Sequence, residues 1–173
     1  MPALGTTAVV LPVPGADPLL RSVAARFPGA VREGFPAHIT ILYPFLPASE
    51  VDEEVVAELA AILARCRPQR VAFTASTDPR HLAEGFVALR PEPDGELRGL
   101  TAEVGGRWGL RPYGGAYGEA EPHLTVALEV APERARAIVA DLVPPPPAEL
   151  AEAWLVRFDD GWSLRARLPL LGQ

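Results

Sequence analysis

Two short stretches of this 173-residue chain share a pattern able to do chemistry, His38-Ile39-Thr40 and His123-Leu124-Thr125. Each puts an imidazole two residues before a hydroxyl. In a β-strand, residues i and i+2 lie on one face. His38 and Thr40 then project together, as do His123 and Thr125. By the same alternation Ile39, Ile41 and Tyr43 form an apolar back, and so do Leu124, Val126 and Leu128. An imidazole accepts or releases a proton near neutral pH. Two of them on opposite sides of a phosphorus atom can serve as base for the attacking oxygen and acid for the departing one. The Thr hydroxyls can donate to the non-bridging oxygens, where charge develops. Which imidazole takes which role depends on the orientation of the leaving oxygen.

The third histidine is a useful contrast. His81 stands in Arg80-His81-Leu82-Ala83, without a following hydroxyl and beside Pro79, and reads as a surface residue. Zinc is the chemical rival for the His pair. A catalytic zinc usually takes three protein ligands. Neither His81 nor Cys66 stands at a recognised ligand spacing, so no metal and no cofactor are expected.

Composition narrows the remaining choices. Nearly half of the residues, 49%, are hydrophobic, enough for a single core over 1–173. The single cysteine, the absence of a long apolar run and the lack of a basic leader point to a cytoplasmic protein. The net charge of −6 argues against gripping long nucleic acid, which needs a basic surface. All 16 basic residues are Arg; a chain without Lys has no P-loop lysine, no Schiff base and no adenylated lysine.

The elements that must hold the two motifs follow from periodicity and punctuation. Thr6 to Leu11 reads as a strand and Asp17 to Phe27 as a helix capped by Asp17. His38 to Phe45 is a strand, and Ser49 to Arg65 a helix with an apolar stripe. Arg70 to Ser76 and Gly85 to Arg90 are strands, and Leu97 to Trp108 is a helix stopped by Gly109. The order then recurs: strand His123 to Val130, helix Pro132 to Leu142, and a hairpin of Ala153 to Phe158 with Ser163 to Leu168. Pro47 and Pro132 each follow their histidine at the same interval, as expected of a duplicated lobe. The class is α+β: a bilobal duplicated fold, with two antiparallel sheets flanking a central cleft and helices outside.

Secondary candidates sit near the second motif. Tyr113 and Tyr117 lie on the Gly-rich loop before His123, where either could stack on a base or anchor the loop. Tyr43 has the parity of a core residue. Arg165 and Arg167 share a face by alternation and read as solvated, and Trp108, Trp154 and Trp162 read as core or interface residues.

The stretches Pro36-Ala37-His38-Ile39-Thr40-Ile41-Leu42-Tyr43-Pro44-Phe45 and Pro122-His123-Leu124-Thr125-Val126-Ala127 resemble the two-histidine (2H) phosphoesterase superfamily, which includes 2′-5′ RNA ligase-like proteins and cyclic phosphodiesterases. The Pro112-Tyr113-Gly114-Gly115 loop also fits. The resemblance implies catalytic His38 and His123, with Thr40 and Thr125 on the phosphate. It implies a metal-independent phosphodiesterase acting on a 2′,3′-cyclic phosphate or a 2′-5′-linked nucleotide or RNA end, and a monomer. The alternative is a module on the same fold that binds a nucleotide or RNA end without turnover.

Overall fold

The computed structural model describes residues 1–119 and 121–173. Among the described residues, eight strands and five α-helices alternate as far as α5, and three strands then follow in succession. The strands are β1 (Thr6–Pro12), β2 (His38–Leu42), β3 (Gln69–Ala75), β4 (Val87–Glu92), β5 (Leu124–Ala127), β6 (Ala148–Leu150), β7 (Glu152–Phe158) and β8 (Trp162–Pro169). The helices are α1 (Asp17–Arg26), α2 (Glu53–Arg65), α3 (Pro79–Ala83), α4 (Gly95–Trp108) and α5 (Pro132–Asp141). None of them is long and apolar enough to cross a membrane.

All strand pairs are antiparallel, in the order β6-β3-β4-β5-β2-β1-β7-β8. This corrects the expectation of two separate sheets. The strands form one continuous order, and its middle seam, β2 against β5, rests on the single pair Ile39↔Leu124. The reason is that both His strands carry apolar backs that need the same helix layer. Ile39, Ile41, Leu124 and Val126 share one core with Leu20 of α1, Leu59 and Leu63 of α2, Leu100 of α4 and Ile138 of α5. Placing β2 beside β5 buries both backs at once.

The two sequence repeats are interleaved in this sheet. The antiparallel pair β3–β4, which follows the first His strand and is joined through α3, packs beside β5. The hairpin β7–β8, which follows the second, packs beside β1. Each half of the sheet therefore draws strands from both parts of the chain.

Local chemistry moves several element starts. The carboxylate that caps α2 is Asp52, which accepts from the Val55 N–H at 2.9 Å, and Ser49 lies in a separate 3-10 turn. Asp17 does not cap α1. Its carboxylate accepts the Ala37 N–H at 2.8 Å and so ties α1 to the residue preceding His38. Gly109 does end α4, with φ +65°.

Candidate active site

Two β-bulges shape the face opposite the helices. β1 steps once from Val9 to Val10 while β2 steps twice, from Leu42 to Thr40, leaving Ile41 as the extra residue. β4 steps once from Val87 to Ala88 while β5 steps from Ala127 to Thr125, leaving Val126 extra. Each bulge lies three residues after its histidine. A one-residue slip sends every later side chain to the other face. Ile41 and Leu42 both enter the core, and so do Val126 and Ala127.

Tyr43 is the residue most affected, and the expectation that it packs in the main core is wrong. The bulge turns it to the open face, against Ala8, Val10 and Val156 with Phe35, Trp154 and Trp162. Plain alternation gave no sign of this. Thr101 of α4 donates its hydroxyl to the carbonyl of the bulged Ile41 at 2.8 Å, and the sequence reading missed it as well.

Across the seam, Ile39 faces Leu124. The antiparallel sense sets His38 toward Thr125 and Thr40 toward His123, so the four polar residues form two cross-strand pairs on one face, with the two histidines on a diagonal. A small cavity of about 20 Å³ at this place is lined by Thr40, Tyr43, Thr101, Tyr113 and His123, among others. His38 and Thr125 stand outside its lining. Tyr113 tilts toward Tyr43, centroids 5.8 Å apart, and its N–H reaches the Tyr43 carbonyl at 2.6 Å. Tyr113 has φ +53°. Tyr117 packs edge-on against Tyr113 but is 76% exposed.

The two histidines are presented alike. Nδ1 of His38 lies 2.8 Å from the Pro36 carbonyl, and Nδ1 of His123 lies 2.8 Å from the Glu121 carbonyl. A carbonyl only accepts, so each Nδ1 carries its proton and each Nε2 is left to act. The edge of an aromatic ring supports each imidazole, Phe35 at His38 (centroids 4.2 Å) and Phe86 at His123 (5.4 Å). Burial is the main force on both. It pushes His38 down from 6.5 to about 4, opposed by the Pro36 carbonyl and assisted by the charges of His123 and Arg32. Burial also pushes His123 down, opposed by the Glu121 carbonyl and assisted by His81.

That last contribution corrects the reading of His81 as a plain surface residue. It is partly buried in α3, edge-on to Phe86 at 5.2 Å, and so stands one ring behind His123. Arg32 is a further residue that sequence reasoning missed. It is exposed, its charge is felt at His38 and Tyr113, and it pairs with no carboxylate among the described residues. Burial pushes the Tyr113 phenol up.

The remaining candidates lie elsewhere. Arg165 and Arg167 do not act as a pair, because a bulge in β8 takes Arg165 out of alternation. Arg165 binds Glu53 at the head of α2, and Arg167 lies over the Trp154 ring. Among the described residues, no three His, Cys, Asp or Glu side chains converge as a metal site.

The chain belongs to the 2′-5′ RNA ligase superfamily, whose family model matches residues 12–162. Solved structures share the fold. Escherichia coli LigT complexed with 3′-AMP is 18% identical with a TM-score of 0.62, the match covering 97% of this chain and 99% of LigT. The protein TT0787 of Thermus thermophilus is 21% identical with a TM-score of 0.56, covering 97% and 99%. No curated protein sequence matches the chain significantly.

Proposed function

We propose that the protein is a metal-independent phosphodiesterase that acts on a 2′,3′-cyclic phosphate or a 2′-5′-linked nucleotide or RNA end. The observation that carries this reading is the matched presentation of His38 and His123, each with Nδ1 on the carbonyl two residues back. In this reading the phosphate lies between the two Nε2 atoms. One imidazole accepts the proton of the attacking oxygen and the other protonates the leaving oxygen. Thr40 and Thr125 donate to the non-bridging oxygens. Arg32 adds positive charge at the mouth. Tyr43 and Tyr113, backed by Trp162, offer aromatic surface for a base or ribose. The bound molecules of E. coli LigT, namely 3′-AMP, NADP+ and ATP, favour a nucleotide as the occupant here too.

The test is turnover of nucleoside 2′,3′-cyclic phosphates to 2′-phosphates in EDTA, followed by phosphorus NMR. His38→Ala and His123→Ala are each expected to lower kcat by about 10²–10⁴-fold. Unchanged turnover in both variants would sink the mechanism. Tight binding of a cyclic nucleotide with no product would point to the non-catalytic module instead.

A further inference from the structure

The two histidines are presented alike but held differently. His38 is the first residue of β2 and is paired in the ladder, opposite Pro12. The residue before it is tied on both sides: the Ala37 N–H donates to Asp17, and the Ala37 carbonyl accepts from the Val13 N–H, each at 2.8 Å. His123 lies just outside β5, where the ladder with β4 stops at Leu89↔Leu124. Continuing that register would put Arg90 opposite His123, but no ladder pair forms there. Pro122 has no N–H to donate. Upstream, the chain passes through left-handed Gly109, Tyr113, Gly114, Gly115 and Gly118. The imidazole is thus oriented by the Phe86 ring and the Glu121 carbonyl, and that carbonyl is only as fixed as Glu121.

The Glu121 side chain is clamped. Its carboxylate binds Arg90 of β4, and its second oxygen lies 4.0 Å from Arg98 of α4. Arg98 is held in turn by Asp94 at 2.9 Å. Arg90 is fixed within the sheet, opposite Thr74 of β3. We propose that Arg90 and Arg98 are positioning residues for His123: through Glu121 they set the carbonyl that receives the Nδ1 proton and so keep Nε2 pointed at the cleft. The catalytic consequence rests on the role proposed for His123; the clamp itself does not.

The experiment uses the full chain with ¹⁵N-labelled histidine, comparing wild type, Arg90→Gln, Arg98→Gln and Glu121→Gln by NMR and by kinetics. Exposed ion pairs contribute little to stability, so melting temperatures are expected to stay close to wild type. Arg26→Gln, which removes the exposed pair with Asp141 on the helix side, serves as control. In wild type, the neutral His123 ring should be protonated at Nδ1. In the clamp variants that preference should weaken while the His38 signals hold. The expected kinetic loss is about tenfold in kcat with KM little changed, the lower end of what is seen for partners that orient metal-binding histidines. Arg90→Gln combined with Glu121→Gln should lose no more than either alone, because both break one connection. Wild-type His123 signals in Arg90→Gln and Arg98→Gln would overturn the proposal, as would fully additive losses. A shifted His123 tautomer in a protein that turns over no cyclic phosphate would support the clamp and overturn the catalytic reading instead.

Discussion

Each imidazole commits its Nδ1 proton to a backbone carbonyl, and each is pushed toward the neutral form by burial. Acid–base work by such a pair needs one ring neutral and one charged. With both values lowered, the profile of kcat/KM against pH is expected to be a bell centred below 6.5, the ordinary value for the ring. A centre above pH 7 would contradict the burial argument. Stability follows with a definite sign. Between pH 6.5 and about 4 the unfolded chain protonates His38 and the folded protein does not. The stabilising contribution is therefore complete above pH 6.5 and is lost as the pH falls toward 4. Thermal melts at pH 7.5 and 4.5 should show a smaller acid loss in His38→Ala than in wild type.

At the scale of elements, the bulges matter more than the strands that carry them. Thr101 holds the Ile41 carbonyl, and Thr101→Val leaves that acceptor without its partner. The expected cost is about 1–3 kcal/mol, read by denaturant unfolding, with reduced affinity for a nucleotide if Tyr43 turns away. Gly85 is a second fixed point. It has φ +72°, and a Cβ there would meet the Val130 carbonyl oxygen at 1.9 Å. Gly85→Ala should cost about 3 kcal/mol or more, because the strained conformation and the backbone clash cannot both be relieved. Much of the architecture was legible from residue patterns: the apolar stripe of α2, the Gly109 stop and the apolar backs of β2 and β5 all follow from period and punctuation. The bulges were not, because an extra residue in a strand leaves the alternation intact on either side of it. This is why Tyr43 was misplaced. Arg32, Thr101 and the Arg90–Glu121–Arg98 clamp were hidden for another reason: their partners are remote in sequence, and no local spacing marks such contacts.

Over the whole molecule, most arginines are already matched with acids, as in Arg26–Asp141, Arg70–Glu149 and Arg107–Glu58. A chain of net charge −6 with its guanidiniums so occupied has little to offer a long phosphate backbone. Binding of a cyclic-phosphate-terminated RNA should therefore respond weakly to salt. A slope of log K against log salt no steeper than about −1.5 is expected, corresponding to one or two phosphate contacts. A markedly steeper slope would show that an RNA track runs beyond the two histidines.

The interleaved strand order has a consequence for how the protein comes into being. β1 and β2 are synthesised well before β7, and β1 finds its outer neighbour only when β7 arrives, more than a hundred residues later. Such distant pairing raises the contact order and slows folding, since the closure entropy must be met before the contacts form. The half of the sheet that carries His38 is thus completed by β7 and β8, and the half that carries His123 by β3 and β4, with the late strand β6 at its edge. No contiguous segment holds one finished half. Completion of the sheet face that carries the two histidines is expected to be a late, all-or-none event, with both imidazoles brought into place together.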